Sequence, residues 1–132
     1  MNSELKIRLR FNNMKEENII AVKSKAFAIR IINLYKFLTN EKQEYVLSKQ
    51  ILKSGTSIGA NVREATRAQS TADFITKHTI ALKEADETCY WLELLHETDY
   101  IGNNEFNSMY ADATELVKLL VARTRTLKQQ NT

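Results

Sequence analysis

Over most of the chain, apolar residues recur three and four positions apart, the spacing that keeps side chains on one face of an α-helix. The first such stretch covers residues 15–38 and ends at Thr39 and Asn40. At about 100° per residue, Ile20, Phe27, Ile31, Leu34 and Leu38 share one face. A second apolar group, Ile19, Val22, Ala26, Ile29 and Phe37, lies most of a right angle or more away. One core needs only the first group. The second group predicts either a subunit interface or an unusually wide core stripe.

A second helix is predicted over residues 42–67. Leu47, Ile51, Gly55, Ile58, Val62 and Ala65 form its seam at steps of four, four, three, four and three. Glycine inside a helix costs about 1 kcal/mol relative to alanine. Gly55 and Gly59, on or beside this seam, therefore point to close approach of a neighbouring helix or to a local kink. Ser70 followed by Asp73 reads as a capping box that opens a third helix, with Phe74, His78, Ala81, Leu82, Ala85, Cys89, Leu92 and Leu95 inward. Gly102 is expected to close it in the left-handed conformation. Asn103 or Asn104 is expected to cap a fourth helix, whose seam is Phe106, Met109, Ala113, Leu116, Leu120 and Leu127. Four helices with short connections predict an all-α, up-down-up-down, left-handed four-helix bundle over residues 14–132.

Residues 1–13 differ. Leu5, Ile7, Leu9 and Phe11 alternate with Lys6, Arg8 and Arg10, a period of two that reads as a short strand. No second strand pattern exists to pair with it. The segment must dock on another subunit, stay disordered, or lie upstream of a start at Met14; the last two are favoured.

Composition agrees with a helical reading. Of 132 residues, 43% are apolar, enough for a core, and three glycines without a proline give too little turn punctuation for a sheet-rich fold. No apolar run approaches the roughly 20 residues that span a bilayer, so no membrane role is expected. The N-terminus lacks the apolar segment of a signal peptide. One cysteine, Cys89, excludes an intramolecular disulfide and fits a reducing cytoplasm. Net charge is only +3, so the chain is not a globally basic nucleic-acid binder.

Catalytic constellations are scarce. Di-iron bundles use two Glu-x-x-His units, and Glu93 with His96 supplies one. His78 has Ile75 in the glutamate's place, so neither a metal nor any other cofactor is expected. Cys89 lies on the apolar seam, where a buried inert thiol is the ordinary case, and no enzyme activity is expected. Binding signals are better. Lys49 and Lys53, and likewise Arg63 and Arg67, stand one turn apart and could follow a phosphate backbone. Arg123, Arg125 and Lys128 crowd the end of the fourth helix with no acidic residue among them. They are candidates for nucleic-acid contact or, more simply, complements to the helix dipole. Tyr90 and Trp91 cannot both face the core, and Trp91 is assigned to an interface.

The segment from Leu47 to Ala65, with its Ser57-Ile58-Gly59-Ala60-Asn61-Val62-Arg63-Glu64 core, resembles the signature of the bacterial 23S rRNA intervening sequence proteins. Asp73-Phe74, the run from Ile80 to Thr88, Trp91-Leu92 and Tyr100-Ile101 continue the likeness in order. Many members carry proline where Gly59 stands. The resemblance implies a four-helix protomer assembling into a homopentamer. In a related branch of retroelement accessory proteins, it also implies binding to a reverse transcriptase and nucleic acid through a basic surface. It defines no catalytic residues. The expected function is thus a non-enzymatic oligomeric scaffold for RNA, DNA or a nucleic-acid enzyme; the alternative is an oligomer that binds only protein.

Overall fold

A computed structural model describes residues 2–130, and for residues 8–13 the backbone alone. These residues are all-helical: α1 Ser3–Asn40, α2 Leu47–Ala65, α3 Thr71–Glu97 and α4 Asn103–Gln130. Each helix packs on the next in sequence, and α4 returns to α1. α1 runs antiparallel to both α4 and α2. On α1 and α4, Arg30 pairs with Asp112 while Lys23, earlier in α1, pairs with Glu115, later in α4. On α1 and α2, Ile31 faces Gly55 and Ser24 faces Gly59.

The core is the set of seams turned inward. Ile20, Phe27, Ile31, Leu34 and Leu38 of α1 meet Ile51, Ile58 and Val62 of α2, Ala81, Ala85, Leu92 and Leu95 of α3, and Met109, Leu116 and Leu120 of α4. Each large aliphatic side chain sealed this way contributes about 1.5–3 kcal/mol. Between α1 and α2 the approach is close. A β-carbon on Gly55 would stand 2.6 Å from Cγ1 of Ile31, which is itself fully buried. At Gly59 the nearest atom would be the backbone oxygen of Ser24, at 3.3 Å. On the other side of α2, the hydroxyls of Ser54 and Thr88 are hydrogen-bonded at 2.9 Å, both buried.

Several local expectations give way. Residues 3–13 continue α1 as helix instead of forming a strand. Asn2 Oδ1 accepts from Leu5 N at 2.8 Å as the N-cap, and Glu4 lies in the first turn. A helix already nucleated downstream gains one hydrogen bond per added residue, whereas a lone strand has no partner to supply any.

The second helix starts at Leu47 and not Lys42, because Gln43 turns the chain with φ of 48°. Glu44 then folds its buried carboxylate over the new helix start, accepting from the backbone N–H of Ser48 at 2.7 Å, Leu47 at 3.1 Å and Val46 at 3.3 Å. Burial works against ionising this group, but the three N–H donors outweigh it and hold its pKa below the usual carboxylate value.

Ser70 caps α3 through Asp73 N at 3.0 Å, and Asp73 reaches back to Gln69 N. At the far end the left-handed residue is Asp99, φ 66°, and not Gly102. Tyr100 N bonds Leu95 O and Asp99 N bonds His96 O, a Schellman closure with aspartate at its left-handed position. Gly102 instead stands at the N-cap of α4, its carbonyl accepting from Phe106 N at 2.9 Å. The side chain of Asn103 is taken by His96 Nε2 at 2.7 Å and does not cap the helix.

Candidate assembly and nucleic-acid surfaces

The second apolar group of α1 lies outside the core. Ile19, Val22, Ala26, Ile29 and Phe37 are all exposed, Val22 at 61%, and Met14 and Ile32 extend the apolar surface on the same helix. Ile19, Val22, Ala26 and Ile29 follow steps of three, four and three, the a/d spacing of a helix–helix seam. The wide-core reading is therefore corrected: α2 and α4 flank α1 and leave this side in solvent. Phe37 ends the stripe beside a 590 Å³ cleft, where the Lys42 ammonium stands 5.8 Å from its ring.

Of the aromatic pair on α3, Trp91 is partly buried against the core and donates its indole N–H to Glu87 at 3.1 Å. Tyr90 is the exposed member. The assignment of an interface aromatic to Trp91 thus falls on a residue already half used inside the chain.

The basic candidates separate into two groups. On α2, Lys49, Lys53 and Arg63 are exposed and, with Thr56 and Ala60, recur at steps of four and three along the face opposite the seam. Arg67, also exposed, lies in the turn past the end of the helix, which stops at Ala65 and short of the expected residue 67. Between Lys49 and Arg63 that face is about 21 Å long. On α4, Arg125 and Lys128 are exposed.

Arg123 is not available to a phosphate. It is 4% exposed, its Nε donates to Glu17, its Nη1 lies 3.5 Å from Glu16, and its guanidinium stands over the Phe74 ring. The α4 seam explains why. Met109, Ala113, Leu116, Leu120 and Leu127 leave a gap one turn after Leu120, and Arg123 fills it. The same argument finds Glu17, which the sequence reading missed. Stepping back three residues from Ile20 places Glu17 on the α1 seam. His78, inward on α3 as expected, completes the cluster: its Nε2 is 3.0 Å from Glu17 Oε2 and its Nδ1 is 2.9 Å from the Phe74 carbonyl. Burial opposes a charge on Glu17, but hydrogen bonds from His78 and Arg123 prevail and lower its pKa.

The residues considered for chemistry are otherwise engaged. Cys89 is buried, and burial, reinforced by Asp86 and Glu93, pushes its thiol up to about 11. Glu93 accepts from the Tyr110 hydroxyl at 3.0 Å, and His96 stacks on Phe106 with ring centroids 4.2 Å apart. Among the described residues, no three His, Cys, Asp or Glu side chains are grouped to hold a metal, and no helix is long and apolar enough to cross a membrane.

The architecture and surfaces define a helical-bundle-like protein that, among the described residues, leaves an apolar face of α1 in solvent. A family model, 23S rRNA-intervening sequence protein, matches residues 16–122, and the chain belongs to that family. A crystal structure of a protein of unknown function from the S23 ribosomal protein family of Bacteroides thetaiotaomicron is 59% identical. The alignment covers 83% of this chain and 98% of that one, with a TM-score of 0.82. No curated protein sequence matches.

Proposed function

We propose that this chain is the protomer of a non-enzymatic, cytoplasmic homo-oligomer. In this reading it is a left-handed up-down-up-down four-helix bundle that presents a basic surface to RNA, DNA or a ribonucleoprotein partner. The observation that carries the reading is the stripe Ile19, Val22, Ala26 and Ile29, exposed at helix–helix spacing along one continuous helix. Aliphatic side chains left in water along a seam of this kind favour a second helix laid against them. Five copies are the number implied by the resemblance to the family. The α2 row of Lys49, Lys53 and Arg63, with Arg67 just past the helix end and joined by Arg125 and Lys128, supplies the nucleic-acid surface, repeated once per copy. Light scattering at micromolar concentration tests assembly, and a monomer mass there overturns it. Titration with RNA and DNA at increasing salt tests the second part. Phosphate contacts release counterions, so affinity should fall steeply with salt and depend little on sequence.

A reading without nucleic acid draws support from Arg123, whose pairing with Glu17 removes one of the three cations expected at the end of α4. Under it the chain remains an oligomer whose partners are proteins, and no salt-sensitive RNA or DNA binding is observed.

A further inference from the structure

Tyr90 points away from the core at 54% exposure, and its flanks are acidic. Asp86, four residues before it, and Glu93, three after, share its face of α3. From Glu84 to Asp99 the chain carries Glu84, Asp86, Glu87, Glu93, Glu97 and Asp99 with no lysine or arginine. The crowding is felt locally: burial first, and then the charge of Glu87, holds the Glu84 carboxyl above its usual range. The ridge is thus a large, amphipathic ring on negative ground.

The opposite shape occurs between α1 and α2. A cleft of 740 Å³ runs there, walled by the small residues Ala21, Ala28, Thr56, Gly59 and Ala60. Lys25 and Arg63, both exposed, also line it. Of its two carboxylates, Glu17 is held inside by His78 and Arg123, leaving Glu64. Gly59 matters here for what it lacks: any side chain would begin to fill the hollow.

We infer that the Tyr90 ridge of one copy docks in the α1–α2 cleft of a second copy. The ring enters the hollow, and Asp86, seconded by Glu93, which also holds the Tyr110 hydroxyl of its own chain, faces Arg63 and Lys25. This rests on the homo-oligomer reading above and supplies it with a specific contact. Ridge and cleft are different surfaces of one chain, so the contact is head-to-tail, and its repetition closes a ring or runs on as a filament. It takes Arg63 out of the row proposed above for nucleic acid and leaves Lys49, Lys53, Arg67, Arg125 and Lys128 uncovered.

Sedimentation velocity on the full chain tests it. Tyr90→Ala, Arg63→Glu and Asp86→Arg each should weaken self-association at least tenfold while leaving the helical circular dichroism unchanged, since all three side chains are exposed. Combining Arg63→Glu and Asp86→Arg in one chain should restore assembly, because every contact then carries the exchanged charge pair, whatever the number of copies. If the wild type assembles and the three variants assemble equally well, the ridge–cleft contact is wrong and the oligomer reading stands. Weakened single variants whose charge-exchanged double variant stays dissociated also overturn the contact. A wild type that stays monomeric overturns both.

Discussion

Ile31 and Ile29 sit two residues apart on α1. Ile31 is sealed beneath Gly55 of α2, while Ile29 is 53% exposed. The inner and outer faces of this helix use the same residue types, yet only the inner one finds partners within the chain. Hydrophobicity alone does not distinguish them; what differs is whether a neighbour's backbone can come close enough to exclude water. Gly55 lets α2 do so on one side. On the other side none of the described elements supplies a cover, so the stripe is where function by association is to be sought.

The largest expected effect separates the two faces directly. Ile31→Ala should cost about 2–5 kcal/mol through lost burial and a residual cavity. Ile29→Ala should change the stability of the dissociated chain by no more than about 0.5 kcal/mol. Urea unfolding below the association range measures both. Light scattering should show Ile29→Ala weakening assembly, and equal losses of stability at the two sites would erase the distinction between the faces.

Next comes the charged end of the inner face. Arg123→Gln leaves Glu17 without its cation in a largely buried site and should cost about 3 kcal/mol. A merely solvated arginine would cost nothing measurable. The pH dependence has a defined sign. Glu17 and Glu44 both have pKa values held below the ordinary one. Their contribution to stability is therefore present above the unfolded value, about 4.3, and is lost as pH falls through the folded values. The wild-type melting temperature should drop on acidification below about pH 4.5. The gap to Arg123→Gln should narrow there, since a protonated Glu17 no longer needs its partner.

A smaller effect sharpens the role of the glycines. Gly55→Ala gains helix propensity but pushes a methyl into the branched carbons of Ile31, for a net loss of about 1–3 kcal/mol. Gly59→Ala meets the Ser24 backbone oxygen at 3.3 Å and its Oγ at 3.4 Å, distances requiring shifts of only a few tenths of an ångström, so its loss should be the smaller. Thermal melts of the pair check the order. The smallest change is expected at Asp99. There a left-handed φ favours glycine, and Asp99→Gly should raise stability by up to about 1 kcal/mol.

The seams were legible because a helix of period 3.6 writes its buried face into the spacing of its apolar residues. Ile20 through Leu38, Ile51 through Ala65 and the α3 and α4 seams lie where that spacing puts them. Their charged exceptions were not recognised. Glu17 and Arg123 occupy seam positions, but a charged residue interrupting an apolar row looks like the row's end until its partner is known. That partner is 106 residues away in the chain. The second apolar group of α1 was visible as a group; whether it formed a wider core or an open face depended on where α2 and α4 landed.

Sequence by itself therefore determined the helices, their inward faces and the caps made by neighbours, such as Ser70 on Asp73, because these depend on residues within a turn or two. Tertiary structure alone decided the rest. It made Arg123 a buried ion-pair partner instead of a surface cation. It gave the left-handed turn to Asp99 rather than Gly102, and it carried α1 back through residues 3–13. It also left Ile29 facing solvent. Each of these turns on distances between atoms remote in sequence, or on hydrogen bonds available only once the rest of the element has formed.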